Sequence, residues 1–118
     1  MNIEVFREYC LAKPGVSEGL PFGPDTLVFK VMNKMFALTG IEKFDFVNLK
    51  CDTEKSIDLR ASFEGIRPGY HMNKQQWNSV YVDSDVPDDL IFELTDHSYD
   101  LVAEKLPKKD REALKNMT

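Results

Sequence analysis

Apolar positions near the start of the chain recur at helical spacing. Ile3, Phe6 and Cys10 lie three or four residues apart, the interval that places side chains on one face of an α-helix. Asn2 can cap this helix, and "KPG" at 13–15 stops it near Lys13. The pattern then changes to short runs rich in β-branched and aromatic residues: "LVFKV" (27–31), "KMFAL" (34–38) and "FDFVNLK" (44–50). The first two, joined by a tight "MNK" turn, predict a hairpin meander. "EGLPFGPD" (18–25) is expected to supply a preceding edge strand, because Pro21 and Pro24 cannot donate to a central ladder. In "FDFVNLK" either Phe46 or Val47 points inward, with Phe44 and Leu49.

Helical spacing returns after Lys50. Asp52 or Thr53 caps a helix through about Phe63, with Ile57 and Leu59 to Phe63 as its expected buried stripe. "RPGY" places Pro68 and Gly69 at the centre of a type II turn, Gly69 taking the positive φ. Asn73 can cap one helical turn through Trp77, and "NSVYVD" returns as a strand with Val80 and Val82 on one face and Tyr81 on the other. Pro87 suits the first position of a helix to about Lys105, whose stripe is Leu90, Ile91, Leu94, Ser98, Leu101 and Val102. Pro107 begins a short basic helix. This order predicts an α+β fold, an antiparallel sheet with helices packed on one face. No repeat or linker divides the chain, so residues 1–118 are expected to form a single domain and a monomer.

Composition narrows the chemistry. A net charge of −5 disfavours a general polyanion binder. The charge is uneven: residues 83–100 hold seven acids and no base, whereas 101–118 hold five bases and three acids. Any DNA site must therefore lie away from the acidic helix face. No run reaches the roughly 18 apolar residues of a membrane span. Cys10 and Cys51 form no CxxC pair, and no apolar signal segment precedes them, so reduced thiols in a cytoplasmic protein are expected.

Catalytic and metal signals are weak. Cys51 and His71 could form a thiolate and its base, but a cysteine at a strand end is more often a packed hydrophobe. His71 and His97 stand 26 positions apart without metal-ligand spacing, so no metal or cofactor is expected. Asp96 and Asp100 share a helix face, where a solvated acidic surface is the ordinary reading and a weak cation site the alternative. His97, beside the apolar stripe, is expected to hydrogen-bond a neighbouring strand carbonyl. Trp77 is expected to cover the core rim.

Two hairpins could present Lys30, Lys34, Arg67, His71, Asn73, Lys74 and Asn78 as wing tips, cations for phosphates and amides for base edges. Lys108 and Lys109, with Lys105 and Arg111, could add phosphate contacts from the tail. Four to six contacts would give a log–log salt slope of about −3 to −5. An alternative is a protein-interaction or small-ligand module with a pocket lined by Tyr70, His71, Trp77 and Tyr81.

The blocks "LPFGPDTLVFKV", "KMFAL", "VNLKCD", "GIRPGYHMNKQQWNSVY", "DHSYDLV" and "LPKK" together resemble the MmcQ/YjbR family of small bacterial proteins over roughly residues 14–109. The resemblance implies a CyaY-like (frataxin-like, double-wing) α+β domain with a DNA-binding role, and with the two hairpins the expectation is a non-enzymatic protein that contacts double-stranded DNA. The chain departs from the family's usual pattern in having Asn33 where glycine is common and Gln75 and Gln76 where further basic residues are common. Both changes bear on the wings.

Overall fold

The computed structural model describes residues 1–117. Asn2 accepts from the Val5 N–H and starts α1 (Ile3–Leu11), which buries Phe6 and Cys10. A meander follows: β1 (Val16–Gly19), β2 (Thr26–Val31), β3 (Lys34–Gly40) and β4 (Phe46–Lys50). Then come α2 (Thr53–Ser62), capped by Asp52, β5 (Ile66–Pro68), β6 (Trp77–Tyr81), α3 (Asp88–Glu104) and α4 (Lys108–Lys115). The strands form one antiparallel sheet in the order β1-β2-β3-β4-β6-β5. With four helices beside it, the fold is α+β, as the apolar pattern predicts.

Alternation along each strand gives the sheet two unlike faces. Leu27, Phe29, Val31, Val47, Leu49 and Val80 join Phe6 of α1 and Ile91, Leu94 and Val102 of α3 in the main core. Leu59 of α2 and Leu114 of α4 pack against the same core, so all four helices cover one face. A second, smaller cluster of Val28, Leu38 and Trp77, flanked by Met35 and Met72, occupies the other.

The β2–β3 pair carries an irregularity that the helices exploit. Phe29 opposes Ala37 while Lys30 opposes Met35, so Phe36 is the extra residue of a bulge. Its ring packs edge-on against Tyr99, with centroids 5.5 Å apart. Its carbonyl accepts from the Ser98 hydroxyl at 2.5 Å, and that hydroxyl accepts from the Lys50 N–H at 2.9 Å. One buried serine of α3 thus bridges β3 and β4 beyond the last paired residues, Ala37 and Leu49.

Four expectations change. The edge strand ends at Gly19, because Pro21 and Pro24 lack N–H donors and Gly23 turns the chain at φ 120°. Ile57 is 62% exposed, since α2 meets the sheet through Ser56, Leu59, Arg60 and Phe63. Pro87 occupies the cap of α3, one residue before its first turn. The positive φ after Pro68 falls on His71 (58°). Gly69 is required for a different reason: a Cβ there would lie 2.9 Å from Trp77 Cβ and 3.0 Å from the Trp77 carbonyl.

Candidate binding surface on the helix-free sheet face

The face of the sheet opposite the helices carries a row of rings set by the β4–β6 register, which pairs Phe46 with Tyr81. Phe46 lies 5.0 Å from the Tyr81 ring and 6.1 Å, edge-on, from Tyr70. His71 stacks beside Tyr70 with centroids 4.1 Å apart. A buried polar relay anchors the turn bearing these two residues. Tyr70 N–H donates to Ser79 Oγ at 2.9 Å, and Ser79 Oγ donates to Asn48 Oδ1 at 2.5 Å. Asn48 and Ser79 are opposed in register, so burying them together satisfies both side chains.

Next to this relay the sheet opens into a cleft of about 460 Å3. Met35, Leu38 and Met72 supply an apolar floor, and Trp77 packs in the same cluster. Phe22 and Tyr70 stand on the rim, 65% and 58% exposed. Asp25 is the lining carboxylate, and no lysine or arginine lines the cleft among the described residues. Its Oδ1 accepts from the Glu42 N–H at 2.8 Å, and its carbonyl accepts from the Ile41 N–H at 2.9 Å. These contacts tie the Leu20–Asp25 segment to the end of β3.

The residues expected as wing tips separate. The β2–β3 turn, with Met32 and Asn33 at φ 46° and 70°, and the loop from Gly69 to Gln76 emerge at the same end of the sheet, on either side of β4. Positive φ at both central residues is the type I′ geometry that strand twist favours. Lys34 is exposed there; Lys74 donates to the Gly69 carbonyl at 3.2 Å, and Asn73 Oδ1 accepts from the Gln75 N–H at 3.0 Å. Trp77 N–H donates to the Asn73 carbonyl at 2.9 Å, completing the expected single turn.

Asn78 must be withdrawn from the DNA-contacting set: it is 1% exposed on the helix side, accepting from Arg60 Nε at 2.7 Å and donating to Ser56 at 3.2 Å. Arg67 lies away from the turns, its guanidinium 4.7 Å from the centre of the Tyr81 ring and its Nε bonded to the Glu64 carbonyl. Lys30 pairs in register with Met35 and is half-buried. Lys108 and Lys109 are exposed in the first turn of α4.

Of the expected ligand pocket, Tyr70 and His71 line the cleft, Tyr81 adjoins it through Phe46, and Trp77 is buried beneath as core, as its rim role implies. Phe22, Asp25, Met35 and Leu38 were not expected in a site. For Phe22 and Asp25 the signal was the Pro- and Gly-rich "LPFGPD" segment, which holds a large aromatic where a loop should be polar, whereas Met35 and Leu38 read only as strand residues of β3.

Cys51 is buried, its thiol pushed up by burial, and the imidazole engaged beside it is His97, whose Nε2 accepts from the Asp52 N–H at 3.2 Å. That contact replaces the strand carbonyl expected for His97. Asp96 is likewise not a free surface acid, because it accepts from Tyr9 Oη at 2.7 Å and pairs with Lys13. The described residues contain no cluster of metal-ligating side chains, and no helix among them is long and apolar enough to cross a membrane.

Residues 11–101 match the family model described as YjbR. The chain is 36% identical over 113 residues to YbdF of Escherichia coli O157:H7, covering 95% of this chain and 93% of the relative. It is 34% identical over 115 residues to YjbR of Escherichia coli strain K12, covering 97% and 98%. The crystal structure of Deinococcus radiodurans DR2400, a DUF419 domain, superposes with TM-score 0.89 at 39% identity, covering 96% of this chain and 87% of that one.

Proposed function

The chain belongs to the YjbR family, and from that premise we propose that it is a non-catalytic binding protein whose working surface is the helix-free face of the sheet. The observation that carries this reading is the cleft of about 460 Å3 between Phe22, Phe46 and Tyr70. Its size is that of sites for small organic molecules, and its make-up, apolar walls with a few fixed polar groups, is typical of them. Apolar residues elsewhere in the sheet are covered by four helices. Here two large rings remain in water, a cost that ligand contact would offset. The free, buried thiols agree with a reducing compartment such as the cytoplasm.

The test is backbone amide NMR of the protein titrated with benzyl alcohol to millimolar concentration. Shifts should cluster at Leu38, Asn48 and Tyr70 to Met72, and Leu38→Arg should abolish them. Shifts absent, or scattered over the helix side, would remove the reading.

A second reading, DNA binding by the two turns, is favoured by their emergence at one end of the sheet. Lys34 and Lys74 stand there, and Lys50 and Lys105 lie close enough that the Lys105 charge adds to burial in lowering the Lys50 pKa. Asp52 and Glu54 at the start of α2 sit between the turns and oppose it. Anisotropy of a labelled duplex should then fall steeply between about 25 and 200 mM salt, with a slope of about −3 or steeper. Lys34→Glu with Lys74→Glu should abolish it. No binding at the lowest salt excludes the turns as a DNA surface.

A further inference from the structure

We infer that the cleft selects organic cations: small molecules with an ammonium group attached to an apolar body. This rests on the helix-free face being the binding surface, and it names what that surface prefers. Three features of the cleft converge on it. Its aromatic walls, Phe22, Phe46 and Tyr70, come from the Leu20–Asp25 segment, β4 and the Gly69–Gln76 loop, so they face the space from different directions. Ring faces carry negative partial charge and attract a cation lying over them. A poorly hydrated alkylammonium loses little solvation on reaching such walls, whereas an anion is repelled by the same faces.

The second feature is the charge. Asp25 is a carboxylate held in place, with Oδ1 bonded to the Glu42 N–H, and Oδ2 has no protein donor among the described residues. Because the carboxylate is already fixed by the β3 end, ordering it on binding costs little conformational entropy. No lysine or arginine lines the cleft to neutralise it. The third feature is the floor. Met35, Leu38 and Met72 offer no donor for an anion and accommodate an irregular apolar body, with thioethers adapting by rotation about unbranched chains. Tyr70 and His71, whose rings stack with centroids 4.1 Å apart, stand at the rim and add no fixed cation to the space.

The single tryptophan supplies a readout, because Trp77 packs against Met35, Leu38 and Met72 beneath the cleft. Trp77 fluorescence and titration calorimetry would be followed at pH 8 with three probes of one shape: phenyltrimethylammonium, its uncharged isostere tert-butylbenzene, and benzenesulfonate. The cation should bind about tenfold more tightly than the isostere, the effect of a ring-lined, partly desolvated cation, and benzenesulfonate most weakly. Asp25→Asn, which keeps an oxygen for the Glu42 N–H, should weaken the cation severalfold and leave the isostere unchanged. Equal binding of cation and isostere would overturn the cation preference while leaving the cleft as the binding surface. Failure of all three to perturb Trp77 or release heat at millimolar concentration would overturn both. Preference for benzenesulfonate would overturn the charge argument outright.

Discussion

Replacing Ser98 with alanine removes one hydroxyl and disconnects two strands. Ser98 is fully buried, donates to the bulge carbonyl of Phe36 at 2.5 Å and accepts from the Lys50 N–H at 2.9 Å. Both backbone groups lie where the β3–β4 ladder has ended, so neither gains a strand partner when the hydroxyl goes. Each buried group left unpaired costs about 1 to 3 kcal/mol. Alanine returns about 0.5 kcal/mol through its higher helix propensity. The net expectation is a loss of about 1.5 to 5.5 kcal/mol, a large part of the stability of a chain this size. Urea unfolding should show a midpoint about 1 to 3 M lower at unchanged m. Hydrogen exchange at the Lys50 amide should accelerate in step. Thr95→Val is the control, because the Thr95 hydroxyl only donates back to the Ile91 carbonyl of its own helix at 2.7 Å. It should cost less than about 1 kcal/mol. A Ser98→Ala loss no greater than that of Thr95→Val, with Lys50 exchange unaltered, would refute the bridging role.

Three further outcomes follow from the same contacts. Arg60→Ala should cost about 2 to 4 kcal/mol, since Arg60 donates to buried Asn78 Oδ1, to the Lys74 carbonyl at 2.5 Å and to the Trp77 carbonyl at 3.2 Å; thermal unfolding measures it, and a quiet substitution would mean water replaces these bonds freely. Gly69→Ala should destabilise by about 1 to 3 kcal/mol, because the new methyl meets the Trp77 carbonyl at 3.0 Å; denaturant melts compare it with Gly19→Ala, where the space is open. Burial, then the Lys55 charge, lowers the His97 pKa below its ordinary 6.5. The neutral imidazole therefore contributes stability in full above pH 6.5, and this is lost as pH falls through the depressed folded pKa and the acceptor for Asp52 N–H becomes a donor. Unfolding curves at pH 7.5 and 5.5 should converge less in wild type than in His97→Gln; equal pH dependence would show that His97 is not the group responsible.

Much of this molecule is written in local periodicity. Ile3, Phe6 and Cys10 at helical spacing, the alternation in "LVFKV" and "FDFVNLK", and the stripe from Leu90 to Val102 specify helix, strand and helix because neighbouring residues in one chain suffice to set them. Asn2 and Asp52 cap the helices the spacing begins, and the order of elements yields an antiparallel sheet covered on one side. What local pattern could not set is which polar residues the sheet would bury. Asn78 reads as a wing amide until the β6 register turns it beneath α2 to meet Arg60 and Ser56, and Asp96 reads as a solvated acid until α1 and the turn after it bring Tyr9 and Lys13 across to it. Phe46 could have faced either way, because a one-residue slip in pairing inverts a strand. Its opposition to Tyr81 placed it on the open side. The cleft depended most on tertiary structure, since the Leu20–Asp25 segment with Phe22 and Asp25, β3 with Leu38, and the loop with Tyr70 are three separate segments. No spacing within a segment encodes their approach; it arises when the helices bury one face of the sheet and leave the other uncovered.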